Sequence, residues 1–368
     1  MNRRTLFTLL LLVGFLPLAQ AQDSEKPKPV RVGVVGLTHA HVHGILSRKR
    51  DLGDIEIVGI AEPNRDLAER YLKQHRLDKA LWHEDLVTML DTAKPEAVTI
   101  FTSTFAHKEV VEICAPRGIH VMMEKPLAVS MEHATAMAAS AKKHEVQLLV
   151  NYETTWYRSN HHAYALAHDE KKLGELRKIV VHDGHQGPIE IGCNAEFLEW
   201  LTDPVLNGGG ALTDFGCYGA NLITWLMHNE RPLSVTAVTQ QIKPDKYPKV
   251  DDEATILLTY PKAQGIIQAS WNWPYNRKDM EVYGTEGYAN TMGNHSVSLK
   301  DSSAPESVVR SPARPQPYHD PFAFFANVVR GETSPDGLSS LANNLIVTEI
   351  LDAARASALT GKTVQLAR

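Results

Sequence analysis

Cysteine is scarce: the 368 residues hold three, Cys114, Cys193 and Cys217, and no C-x-x-C spacing. An odd count leaves at least one thiol unpaired in an oxidising compartment, and the missing spacing removes the usual zinc and dithiol motifs. The three are read as buried small hydrophobes. A basic excess is also missing. Lys and Arg number 38 against 43 Asp and Glu, a formal charge of -5, and they are scattered rather than massed. Such a surface does not attract a phosphate backbone, so nucleic acid is excluded as a partner class. Repeats and low-complexity tracts are absent. A long apolar run occurs at the N-terminus, Leu6 to Leu18, and it is too short and too unevenly flanked for a stable membrane span.

That run follows Arg3 and Arg4 and precedes Ala19-Gln20-Ala21, a small-x-small cleavage pattern. Residues 1–21 are therefore expected to be a signal peptide, and 22–29 a proline-broken polar linker, with the mature chain beginning near Gln22. The protein is expected to be periplasmic or secreted and free of the membrane after cleavage. Arg3-Arg4-Thr5-Leu6-Phe7 is similar to a twin-arginine signal, while the leucine-rich core fits ordinary secretion equally well.

The remaining chain is long enough for two cores. From Val30, β-branched runs alternate with segments of helical period. Strands are expected at Val30 to Val35, Ile55 to Ala61, Ala97 to Phe101, His120 to Met123 and Gln147 to Val150. Helices are expected at Arg65 to His75, His107 to Arg117 and Met131 to His144. This is the pattern of an α/β, doubly wound, Rossmann-like parallel sheet over residues 30–150. Residues 151–335 read as an α+β domain built on a large open antiparallel sheet, with strands near 177–182, 233–240, 255–260, 265–271 and 279–283. A helix is expected at Ala220 to Met227 and another at Leu338 to Leu359, the latter within a tail, 336–368, that packs back on the body. Glu332 to Gly337 and Lys300 to Pro317 read as surface loops. The open sheet is a surface through which the chain is expected to form a homo-oligomer.

The first strand runs into Gly36-Leu37-Thr38-His39-Ala40-His41, where a G-x-G-x-x-G fingerprint would stand, and Glu62 follows the second strand, where an acidic residue grips the adenosine ribose. Only the first glycine is kept. Thr38 puts a β-carbon where bare backbone would approach a diphosphate, and His41 puts an imidazole where the helix would press on the strand. A dinucleotide is therefore expected to sit differently or to be held from elsewhere. His39, His41 and His43 alternate through the same turn and could hold a divalent ion such as zinc or manganese. They could equally cap the helix, bond to neighbouring loops or touch a bound anion.

Met123-Glu124-Lys125-Pro126 after a strand, Phe101-Thr102-Ser103-Thr104 followed by His107, and Gly208-Gly209-Gly210 leading to Asp214 resemble the motifs of the Gfo/Idh/MocA family. The closing segment from Asp320-Pro321-Phe322 to Val364 resembles its last helix. The resemblance covers nearly all of the mature chain. It implies a cofactor, NAD(P), tightly bound in an exported protein, near Gly36, Thr38, His39, Glu62, Thr102, Ser103, His107, Glu124 and Lys125. It also implies a sugar or glycoside substrate between Lys125 and Asp214. The family's usual histidine four residues after the aspartate is here Tyr218, and the acidic residue usual three further on is Asn221. A phenol titrates near ~10, so Tyr218 suits proton donation or substrate anchoring better than a base's role.

Glu153, in Asn151-Tyr152-Glu153, places a carboxylate where the family often has arginine, and His182-Asp183-Gly184-His185 adds two imidazoles and a carboxylate. Glu153 could act on substrate with His185, or simply pair with Arg158 or Lys178. Trp271-Asn272-Trp273 alternates about a polar residue, which would put both rings on one face, as a sugar platform or as core. The lost glycines, the lost histidine and the added ionisable groups favour an exported enzyme that cleaves or rearranges glycosides, with Lys125, Asp214, Tyr218, Glu153 and His185 as its catalytic set. The alternatives are a sugar oxidoreductase with captive NAD(P) and a non-catalytic sugar-binding protein.

Overall fold

The computed structural model describes residues 28–49 and 52–366, so the expected leader, and most of the linker after it, lie outside the described residues. Six strands form the first sheet: β1 (Val30–Val35), β2 (Ile55–Ala61), β3 (Trp82–His83), β4 (Ala97–Ile100), β5 (His120–Glu124) and β6 (Leu148–Asn151). Their order is β3-β2-β1-β4-β5-β6 and every pairing is parallel. Because both faces are covered, the strands read as near-continuous apolar runs; all four residues of β4 are buried. The covering helices are α1 (Val42–Leu46), α2 (Arg65–His75), α3 (Leu86–Ala93), α4 (His107–Cys114) and α5 (Met131–His144). Asn64, Asp85 and Ser130 cap α2, α3 and α5 by accepting a backbone N–H three residues on. Each cap contributes about 1 kcal/mol. The strand order reverses between β1 and β4, so the loops after β1, β4 and β5 diverge around one crevice at the carboxyl edge of the sheet.

Next come α6 (Arg158–Tyr164), α7 (Ala195–Leu201), α8 (Ala211–Asp214), α9 (Gly216–Leu226), α10 (Pro321–Val329) and α11 (Leu341–Thr360). The second sheet contains β7 (Leu176–Gly184), β8 (Ser234–Gln240), β9 (Glu253–Thr259), β10 (Gln264–Ser270), β11 (Arg277–Gly284), β12 (Gly287–Met292), β13 (Ser296–Asp301), β14 (Ser307–Arg310) and β15 (Val364–Gln365). Its order is β14-β13-β12-β11-β7-β10-β9-β8-β15. Ile179, Val181 and Asp183 of β7, alternate residues on one face, are fully buried, and α9 packs on β7 and β10 while α11 packs on β8 and α9.

Several expectations change here. The sheet is mixed, because β7 and β10 pair in parallel at its centre while the other pairings are antiparallel. The expected loop from Lys300 to Pro317 contains the end of β13 and all of β14, whose Val297 and Leu299 pair with Val309 and Ser307. The helix expected from Ala220 starts at Gly216 and so carries Cys217 and Tyr218. Helices α6 and α7, and the π-helical turn Ala165–Asp169, lacked a clear apolar period and were not anticipated. The late helix begins at Leu341, after a 3₁₀ turn, Gly337–Ser339. Cys114 and Cys217 are buried and Cys193 partly so, all three unpaired.

Candidate active site

The turn after β1 depends on Gly36, whose φ is +78° and whose added Cβ would lie 2.5 Å from Cγ2 of Thr102. Glu62 is buried and ties this turn down. Its Oε2 accepts the Leu37 N–H at 2.8 Å and its Oε1 accepts the Asn64 N–H at 2.9 Å. Burial raises the Glu62 carboxyl, opposed by those two bonds. The ribose-gripping residue expected from the sequence is thus also the brace of the turn. The His39 N–H donates to Phe101 O at 2.9 Å, while the N–H groups of Thr38 and Ala40 have no partner among the described residues. Thr102 donates its hydroxyl to Ser103 O at 3.0 Å, and Ser103 leads into the 3₁₀ turn Thr104–Ala106.

The three histidines of this segment part company. His39 is buried against Phe197 and Trp200 of α7, at ring distances of 4.8 and 5.5 Å, and its Nδ1 accepts the His41 N–H at 3.1 Å. Burial, with the neighbouring His41, keeps His39 neutral well below its ordinary pKa, so Nε2 carries its hydrogen. The His41 Nδ1 lies 2.8 Å from Oε2 of Glu124, whose Oε1 accepts from Asn151 at 2.8 Å. His43 faces away from them, 2.8 Å from His75 of α2. The expected ligand set His39, His41 and His43 is therefore not assembled, because α1 starts at Val42 and turns His43 toward α2. Instead, ligand atoms of His39, His41 and Glu124 lie within 4.8 Å of one another. His107, expected beside the cofactor, is buried under the loop after β5 with Nδ1 3.2 Å from Leu127 O, and burial lowers its pKa to about 4.

At the end of β5, Lys125 forms a short buried ion pair with Oδ1 of Asp214 and donates to Asp214 O at 3.1 Å. The other oxygen, Oδ2, accepts the Trp271 indole N–H at 3.0 Å. Burial alone would raise the Asp214 carboxyl and lower the Lys125 ammonium, but their mutual attraction wins at both groups, and the pair stays ionised. Helix α8 delivers Asp214 because Asp251 accepts the N–H groups of Gly210 at 3.0 Å and Leu212 at 2.7 Å. A Cβ at Gly210 would stand 1.8 Å from Asp251 O, so only glycine allows this approach.

Tyr218, one turn into α9, is buried with its ring centre 5.1 Å from Lys125 Nζ and 4.6 Å from Lys278 Nζ. Lys278 forms a short ion pair with Glu153, which also accepts the Tyr157 hydroxyl. Glu153 thus pairs with Lys278 rather than with Arg158 or Lys178, since β11 brings Lys278 opposite Asp183 at the carboxyl end of β7. Burial, then the charge of Glu153, pushes the Tyr218 phenol well above its ordinary pKa. His185 is lowered by burial, partly opposed by Asp214, and its Nδ1 accepts the Gly187 N–H at 2.9 Å. Lys125, Asp214, Tyr218, Glu153 and His185 are therefore brought together, as the sequence suggested.

Lys278 and Asp183 complete the cluster. Asp183 is fully buried, neither carboxyl oxygen has a partner among the described residues, and burial raises it far above an ordinary carboxyl, with Lys278 opposing. Apolar alternation along β7 could have signalled an acid on the core face, whereas Lys278 in Asn276-Arg277-Lys278-Asp279 looks like surface charge. The tryptophans of Trp271-Asn272-Trp273 do not share a face. Trp271 is core and binds Asp214, while Trp273 lies by His182 and Gly184. His182 bonds Asp279 at 3.0 Å, and Asn221 donates to Leu338 O at 2.8 Å, helping to dock the segment before α11.

Residues 30–152 match the family model for an oxidoreductase with an NAD-binding Rossmann fold, and residues 163–290 match the GFO/IDH/MocA C-terminal domain. Among curated relatives, the trans-1,2-dihydrobenzene-1,2-diol dehydrogenase of Xenopus tropicalis is 26% identical over 64% of the chain, a match spanning 66% of that enzyme's length. An inositol dehydrogenase homolog from Azotobacter vinelandii, solved with NAD+, superposes with a TM-score of 0.80 at 20% identity, covering 92% of this chain and 98% of that one. The aldose-aldose oxidoreductase of Caulobacter crescentus, solved with glycerol, gives 0.78 at 21% identity, over 92% and 100%. These relatives overturn the glycoside-cleaving reading, since they are dehydrogenases and an oxidoreductase. The geometry of the expected carboxyls agrees: Glu153 and Asp214 are each neutralised by a lysine, so these two do not form the acid and base pair that flanks a glycosidic bond.

Proposed function

Because the chain belongs to the Gfo/Idh/MocA oxidoreductase family, we propose that it is a sugar or polyol oxidoreductase that keeps one NAD(P) tightly bound. The observation that carries this reading is the buried Lys125–Asp214 ion pair beside a protonated Tyr218, at the carboxyl end of β5. The turn after β1 fits the cofactor better than its residue types suggest. Gly36 keeps its positive φ, the Thr38 and Ala40 N–H groups are available to an anion, and the His41 ring is turned aside to Glu124. Thr102, Ser103, Glu124 and Lys125 line the same crevice edge from the loops after β4 and β5.

When bound, NAD(P) supplies or accepts the hydride. The chain's own groups handle the proton. Lys125 Nζ and the Tyr218 hydroxyl both hold hydrogens at neutral pH, so the resting site is prepared to donate a proton to a carbonyl oxygen of the substrate. In the reverse direction the group that gave up its proton starts deprotonated and takes the proton back from the substrate hydroxyl. His185, with Nδ1 occupied by the Gly187 N–H, presents an Nε2–H and serves as an orienting donor rather than a base. His39 is likewise committed through Nδ1, so the cluster with His41 and Glu124 is read as a hydrogen-bond chain that orients Glu124 rather than as a metal site.

The reading includes export through the leader at residues 1–21. Outside the cytoplasm no pool of NAD(P) is available for exchange, so the cofactor is restored within each cycle by a second sugar or polyol. The outer face of the second sheet, with Val238 64% and Val308 63% exposed, is the surface proposed to pair two copies. Denaturing the purified protein and analysing the released small molecules tests the cofactor assignment. About one NAD(P) per chain is expected, reduced when a substrate sugar is added before denaturation. A protein that neither releases nor binds NAD(P) overturns it.

A further inference from the structure

Behind the Glu153–Trp156 turn lies a second cavity of about 480 Å³, lined by Thr155, Tyr164, Trp225, His228, Arg314 and Tyr318 among others. It is separate from the catalytic cluster: Trp225 follows Tyr218 by seven residues along α9, roughly 10 Å at a helical rise. One wall is a stacked pair, Tyr164 and Trp225, with ring centres 4.3 Å apart and planes at 17°. His161 closes the edge of Trp225 at 5.0 Å. Tyr164 ends α6, where the chain passes into the π-helical turn Ala165–Asp169, a local irregularity of the kind that recurs at functional sites.

Arg314 is the unusual member. Its Nη1 donates to Thr155 O at 3.1 Å and its guanidinium lies 5.7 Å from the Tyr318 ring, but no carboxylate pairs with it among the described residues. Asp336 lines the same cavity without contacting it. Burial lowers Arg314 to about 10, opposed by the Tyr318 phenol but by no carboxylate. A half-buried guanidinium has five donors in a planar fork that matches a carboxylate, and leaving it unpaired is expensive. Thr155 O is shared with His161 Nε2 at 2.8 Å, so most of the fork remains free for a ligand.

We propose that this cavity binds a carboxylate carried on a single ring, with the acid held by Arg314 and the ring laid against the Tyr164–Trp225 wall. A cavity of this size admits one such ring with bridging waters. Flat aromatic faces suit either a sugar ring or an aromatic one, so the shared chemistry is the ring-borne acid.

Isothermal titration of the purified protein with glucuronate, benzoate and their neutral amides, glucuronamide and benzamide, tests this. At least one acid is expected to bind saturably, glucuronamide at least tenfold more weakly than glucuronate if the sugar acid is the ligand. The tighter of glucuronate and benzoate identifies the ring. Arg314→Gln should weaken acid binding at least tenfold with an unchanged melting temperature, and Lys125→Ala should leave it intact. Should Arg314→Gln not fold, the comparison of the bound acid with its own amide, glucuronamide for glucuronate or benzamide for benzoate, on the unaltered protein still decides. The proposal is overturned by no saturable binding of either acid, by amide binding as tight as the acid's, by unchanged binding in folded Arg314→Gln, or by loss of binding in folded Lys125→Ala.

Discussion

The Nζ of Lys278 stands 4.6 Å from the centre of the Tyr218 ring, and Lys125 approaches the same ring at 5.1 Å. Two ammonium groups near one phenol favour its ionised form, yet burial, then the charge of Glu153, outweighs them and Tyr218 stays protonated. The balance makes Lys278 a tuning residue for the proton donor.

Lys278→Met therefore raises the Tyr218 pKa further. The limb of the pH profile on which the donor loses its proton moves to higher pH, and carbonyl reduction slows about tenfold. A pH–rate profile of kcat/KM checks both, and Glu153→Gln, which keeps the cation at the ring but removes the charge that raises Tyr218 most after burial, should move the same limb to lower pH.

Lys125→Ala should lower kcat by about 10³ while bound nucleotide is retained, because the proton path is lost and the turn after β1 is untouched, and it leaves the Asp214 carboxylate buried without its counter-charge. Asp214→Asn leaves the Lys125 ammonium buried without its counter-charge, at a cost of about 3–5 kcal/mol. Both variants should melt lower than the unaltered protein, and kcat with nucleotide content measured on the folded fraction separates loss of the proton path from loss of stability.

The same pair sets a pH window. The folded Asp214 carboxyl is depressed, so its contribution is present above the unfolded value near ~4 and is lost as pH falls through the lower folded value. Lys125 is raised, so its contribution persists below about pH 10 and is lost as pH rises through the higher folded value. Melting temperatures measured across pH should show both limbs in the unaltered protein, and Asp214→Asn should flatten the acid limb.

Much of this was legible in the residues themselves. Apolar runs placed β1, β2 and β5 within a residue of where they lie, because strands buried on both faces carry a strong signal. The ends of β13 and all of β14 were hidden among Ser and Pro, since a half-exposed edge strand needs few apolar residues. In the site, Lys125, Asp214 and Tyr218 were recognisable through the resemblance of their motifs to those of the family. Lys278 was not, because its position depends on the register of β11 against β7, which is a long-range pairing that local sequence does not encode. At the turn after β1, Thr38 and His41 suggested obstruction from their residue types alone, whereas the unpartnered N–H groups of Thr38 and Ala40 depend on backbone geometry that residue type does not encode.

Gly36→Ala tests that turn. With φ at +78° and a Cβ 2.5 Å from Thr102, the substitution should destabilise the fold by about 1–3 kcal/mol and reduce retained nucleotide. Differential scanning fluorimetry with nucleotide analysis reads both. His43→Ala, by contrast, should leave nucleotide content unchanged, since His43 bonds His75 rather than the crevice.

The most direct measurement is mass spectrometry of small molecules released from the purified protein, before and after a single incubation with a panel of sugars and polyols. The account predicts a nicotinamide dinucleotide near one per chain, converted between its oxidised and reduced forms by at least one substrate, and retained but not converted in Lys125→Ala. Protein that carries no such nucleotide, takes none up when it is supplied, and converts none would contradict it.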